Sequence, residues 1–72
     1  MPDSERNEAI YQTVIEVIAL MRERSVLHQD LRRCRLEGRD AKWVEGLIGS
    51  LDSAIGNRIR ILEMLRNRDL SE

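Results

Sequence analysis

His28 and Cys34 are the single histidine and the single cysteine of the chain, so any nucleophilic chemistry would have to be assembled around them. A nucleophile needs a base and an orienting group within hydrogen-bond reach. His28 and Cys34 stand six residues apart in a stretch that reads as helix, and at that spacing they point in clearly different directions. Cys34 falls on the apolar line of that helix, where a thiol serves as a small hydrophobic filler, and His28 lies at its edge. A metal site would need more His or Cys ligands, and the Glu-x-x-His pattern of helical di-metal sites is missing. Glycine loops that cradle phosphate are missing too, because the glycines after Gly38 fall inside a predicted helix. The expectation is a non-enzymatic protein with no catalytic residue, no cofactor and no metal.

One other group of residues can do chemistry. Arg32, Arg33, Arg35, Arg39 and Lys42 crowd the middle of the chain and offer cations to nucleic-acid phosphates. The net charge of −1 conceals this segregation, since residues 1–21 sum to −3 and residues 22–42 to +3. Asp30, Glu37 and Asp40 are interleaved with the cations, and the nearby aromatic, Trp43, can cap the apolar seam as readily as it can stack on a base. The same residues therefore also read as a solvated, charged tip.

The elements that would position these residues follow from punctuation. Proline occurs only at position 2, and nothing interrupts two long helices. Asp3 or Ser4 serves as N-cap, with Glu5 and Glu8 placing negative charge where the helix dipole favours it. Gly38 is a natural left-handed terminator. Asp40 caps a second helix, with Arg66 and Arg68 suited to its C-terminal end. The prediction is an all-α, two-helix antiparallel hairpin, with helices over about 4–37 and 41–68, forming a single domain over residues 1–72. Composition agrees, because 42% apolar and 35% charged residues describe a folded or coiled-coil chain. Nothing approaches the roughly 18 apolar residues of a membrane span. The first residues are acidic where a signal peptide is basic. Together with the lone cysteine, this predicts a cytoplasmic protein.

A seven-residue repeat sets Ile10, Val17, Arg24 and Leu31 on one line of helix 1, beside Thr13, Leu20, Leu27 and Cys34. In helix 2 the corresponding line is Val44, Leu51, Arg58 and Leu65. It is flanked on one side by Leu47, Ala54 and Ile61 and on the other by Ile48, Ile55 and Leu62. Folding back through the turn pairs Val17 with Ile61, Leu20 with Arg58, Arg24 with Ala54 and Leu31 with Leu47. Tyr11, Ile15, Ile18, Ile59 and Met64 lie beside or off this seam toward the open end of the hairpin, where they read as one contact patch. A hairpin this small needs further burial. The expected partner is therefore a protein or a second copy, with a homodimer forming a four-helix bundle. Gly46, Gly49, Ser53 and Gly56 follow one another at spacings of three or four on the far side of helix 2. Each interior glycine costs about 1 kcal/mol relative to alanine. The stripe is either a groove for close approach of another helix or a tolerated weakness.

Two resemblances bear on function. The overall plan looks like the Rop hairpin, a plasmid RNA-regulatory protein that dimerises into a four-helix bundle, though no RNA-binding motif carries over. Residues Leu31-Arg32-Arg33-Cys34-Arg35-Leu36-Glu37-Gly38, Asp40-Ala41-Lys42-Trp43 and Leu51-Asp52-Ser53-Ala54-Ile55 resemble the small helical-hairpin co-chaperones of type III secretion needle subunits. In those proteins a basic helix end, a Gly turn, an aromatic and a Leu-acid-Ser-Ala-Ile-like stretch recur. The spacing from turn to stretch is about three residues shorter here. The resemblance implies a hairpin that shields an aggregation-prone partner. An Arg-turn nucleic-acid regulator is the alternative, and a phage-type inhibitor of a host protein is a third.

Overall fold

A computed structural model of the chain describes residues 3–70, with side chains over 3–67. It contains two helices, α1 (Asp3–Leu36) and α2 (Lys42–Leu70), folded against each other as an antiparallel hairpin. The helix boundaries fall close to those expected from the caps. α1 already includes Asp3, so Asp3 and Ser4 belong to its first turn and do not cap it. The Asp3 carboxylate instead pairs with Arg6 at 3.3 Å, one turn on. The side chain of Arg68, expected to favour the C-terminal end of α2, lies outside the described residues.

The turn is closed by backbone hydrogen bonds that demand a glycine. Arg39 N–H donates to the Cys34 carbonyl at 2.8 Å and Gly38 N–H to the Arg35 carbonyl at 3.3 Å, the two bonds of a Schellman motif. Gly38 stands at φ +71°, in the left-handed region where a Cβ would crowd the carbonyl. Asp40 then starts α2, its Oδ1 accepting from the Lys42 N–H at 3.0 Å.

Between the helices runs one narrow seam. Thr13, Val17, Leu31 and Cys34 of α1 are buried with Val44, Ile48, Ile55 and Leu65 of α2. Thr13 keeps its hydroxyl satisfied by donating to the Ala9 carbonyl at 2.7 Å. The tightest packing lies next to the turn. There Leu31, Cys34, Val44 and Ile48 form a cluster with Leu27 and Ala41 against it, and Val44 is fully buried. The line of α2 that joins Val44 and Leu65 in the seam is thus Ile48, Ile55 and Leu62, whereas Leu47 and Ile61 are 46% and 42% exposed. The expected pairings differ in burial: Leu31 clusters with Val44 and Ile48, whereas Leu47, expected opposite it, and Ile61, expected opposite Val17, stay largely exposed.

Two arginines occupy seam positions and turn outward to acids on the opposite helix. Arg24 Nη1 donates to Asp52 Oδ1 at 2.9 Å, and Arg58 Nε to Glu16 Oε2 at 2.8 Å. Arg24 therefore reaches Asp52, past the Ala54 expected to face it. Both pairs are half exposed, so each contributes only about 0.2–1 kcal/mol. Their larger effect is on alignment, since a slide of one helix along the other would leave an arginine stem in the seam without its acid.

The hairpin is a rod of 55 × 16 × 13 Å with a radius of gyration of 16.5 Å, against about 11 Å for a compact domain of this length. Replacing Gly38 with Ala should destabilise the chain by about 1–2 kcal/mol, because the left-handed turn is retained at a steric cost. A lower urea midpoint with an unchanged slope would register it.

Candidate interaction surfaces

Seven-residue steps along each helix sort the exposed side chains into two flanks. Arg35 pairs with Glu45 at 3.4 Å, and Arg24 with Asp52, on one flank. Stepping back by sevens from Arg35 gives His28, Met21 and Val14, and stepping forward from Glu45 gives Asp52 and Ile59. Met21 and Ile59 therefore face each other across the ion-paired flank. Tyr11 and Ile18 lie just outward on α1 and Ile15 beyond them on its outer face, so that Tyr11, Val14, Ile15, Ile18 and Met21 form a continuous exposed apolar stripe. Gly49 and Gly56 lie outward on α2 beside Asp52 and Ile59. Gly46 and Ser53 lie further round, on the face of α2 directed away from α1.

The other flank contains a groove. It encloses about 530 Å³ and is lined by Arg22, Glu23, Val26 and Leu27 of α1 and by Leu47, Ser50 and Leu51 of α2. Ser50 belongs to the line Trp43, Ser50, Asn57 and Met64, which places Met64 on this groove flank. Met64 is thus separated from Ile59 and the α1 stripe, and the single patch expected at the open end is two patches on opposite sides. Trp43 is 62% exposed and does not cap the seam.

Among the described residues no contact accounts for the glycines of α2. A Cβ added at Gly46, Gly49 or Gly56 would meet nothing within 4 Å, and all three are exposed. α1 therefore does not require them.

The cations near the turn are partly paired with acids. Arg35 is committed to Glu45 and Arg39 to Glu37, while Asp40 is used in capping. Arg32 and Arg33 are exposed, but as successive residues of one helix they diverge by about 100°. Lys42 is exposed at the start of α2. The interleaved acids noted in the sequence thus neutralise part of the tip. Cys34 is a buried free thiol in the core cluster and His28 is exposed. Among the described residues no group of three or more His, Cys, Asp or Glu side chains is arranged to hold a metal ion, and no helix is long and apolar enough to cross a membrane.

The residues missed by sequence reasoning are Val14 and Met21, which complete the α1 stripe, and Val26, Leu47 and Ile61 on the groove flank. Their signal was present as a second seven-residue pattern in each helix, but only the hairpin's handedness tells which flank each pattern faces. No family model, curated protein or solved structure matches the chain.

In the isolated chain, Gly46→Ala and Gly49→Ala should each be stabilising by about 0.5–1 kcal/mol through helix propensity, since the added methyl meets no neighbour. Thermal or urea unfolding monitored by circular dichroism would measure the gain.

Proposed function

We propose that this chain is a non-enzymatic helical-hairpin interaction module, acting in the cytoplasm as a small assembly or secretion chaperone that covers apolar helices of a protein partner. The reading is supported above all by the stripe of Tyr11, Val14, Ile15, Ile18 and Met21, continued across the hairpin by Ile59. Tyr11 is 64% exposed and Ile18 is 46% exposed, although large apolar side chains in an unbroken row normally mark a contact surface. Gly49 and Gly56, next to that row, leave the neighbouring surface of α2 flat and let a partner helix come close. Helix-in-groove recognition uses anchors at this three- and four-residue spacing. The resemblance to needle-subunit co-chaperones agrees with such a role.

Ile15→Asp with Ile18→Asp should abolish capture of a partner protein in pull-downs from cell lysate, because a charge buried in an apolar interface is left unpaired. Arg32→Gln, Arg33→Gln and Arg35→Gln together should leave capture intact, and nuclease treatment should not affect it. Nuclease-sensitive binding that vanishes only with the arginine substitutions would replace this reading with a nucleic-acid regulator, whose affinity would also fall steeply with salt.

A further inference from the structure

The groove flank of α2 carries a sequence that is its own complement. Along the lines that face this flank, the side chains are Trp43, Leu47, Ser50, Ala54, Asn57, Ile61 and Met64, spaced alternately by four and three. Read in reverse, the order of types is the same: two large apolar residues, a polar one, a small one, a polar one and two large apolar ones. Laid antiparallel on a copy of itself about an axis through Ala54, the row matches Trp43 with Met64, Leu47 with Ile61 and Ser50 with Asn57, while Ala54 meets its own copy. A two-fold interface requires this reciprocity, in which residue i meets j and j meets i.

We propose that the groove flank is where a second copy of this chain binds, with the two α2 helices antiparallel and Ala54 on the two-fold axis. The smallest side chain of the row stands where the helices would cross most closely. The polar residues on either side of it, a hydroxyl and an amide, form a hydrogen-bonding pair twice over. Ile61 of the second copy enters the groove beside Leu47, Ser50 and Leu51, with Val26 and Leu27 forming its other wall.

Charge on the groove rim fits the same axis. Arg24 bonds Asp52, which in antiparallel helices places Arg22 and Glu23 level with Ala54. Both residues line the groove. An axis at this level brings Arg22 and Glu23 of each copy close to both residues of the other, so each cation has an acid, and each acid a cation, across the axis. The free surface is also sufficient. The chain exposes 5699 Å², whereas a compact monomer of 8.4 kDa exposes about 4,600 Å². The excess of about 1,100 Å² is more than the about 800 Å² that each partner gives up in a standard interface.

This self-association does not rest on the chaperone reading, which uses the opposite flank. Light scattering of the purified full-length chain across a concentration series should give twice the 8.4 kDa chain mass. Ile61→Asp should weaken the dimer at least tenfold, whereas Ile18→Asp should leave it unchanged. In a Cys34→Ala background, Ala54→Cys should oxidise to a covalent dimer, since the axis brings both thiols together, while Gly49→Cys on the other flank should remain free of cross-links under the same conditions. The cross-link also decides the matter if Ile61→Asp unfolds the chain. A wild-type chain that stays monomeric at every concentration would assign the groove to a different protein and overturn the proposal. A dimer broken by Ile18→Asp would overturn it as well, as would a cross-link that forms in the Gly49→Cys variant and not in the Ala54→Cys variant.

Discussion

Two helices share one mutual interface, and a seam one residue-pair wide can cover only a strip of each cylinder. In this protein that strip is occupied by Val17, Leu31, Cys34, Val44, Ile48, Ile55 and Leu65, with Thr13 among them. Everything apolar that falls outside it must stay in water or meet another chain. Twelve large apolar side chains are left exposed among the described residues, more than the seam itself buries. That imbalance, and not any reactive group, is the dominant chemical property of the surface.

The seam is also uneven along its length. Near the turn it is close-packed around Val44, where the Schellman bonds of Arg39 and Gly38 end α1. Farther out, Arg24 and Arg58 interrupt the apolar rows and reach across to Asp52 and Glu16. An arginine in a seam adds little stability and much positional constraint, because its stem packs while its charged end is paired with an acid on the opposite helix. The helices are thereby held at one alignment even where the hydrophobic contact is thin. That fixed alignment keeps Met21 opposite Ile59 on one flank and Leu27 opposite Leu51 on the other.

Each flank then has its own character. The flank of Arg24–Asp52 and Arg35–Glu45 presents branched aliphatic and aromatic side chains from α1 beside the flat, glycine-bearing surface of α2. The groove flank presents a row from α2 that is symmetric in size and polarity about Ala54, with Arg22, Glu23 and the Arg58–Glu16 pair along its rim. The two proposals need separate surfaces, and the hairpin provides them on opposite sides. A dimer through the groove flank would leave both α1 stripes free, pointing away from each other.

Much of this is legible in the amino-acid sequence. Gly38 and Asp40 mark the turn because a residue without a Cβ takes the left-handed step at no steric cost and a short side-chain acceptor caps the following helix. The rows containing Ile10, Val17 and Leu31, with Leu27 and Cys34 beside them, are the interior face of α1 because no other face repeats every seven residues over the whole helix. α2 is different, with three adjacent apolar lines where a single partner helix covers two. Its sequence therefore leaves open whether Leu47 and Ile61 or Ile48, Ile55 and Leu62 enter the seam. The tertiary structure selects the second set, placing Ile48 at the core cluster and turning Leu47 and Ile61 outward. It also decides which flank each leftover line faces. Seven-residue spacing specifies an angle around one helix axis, and only the docking of the second helix converts that angle into a side of the molecule.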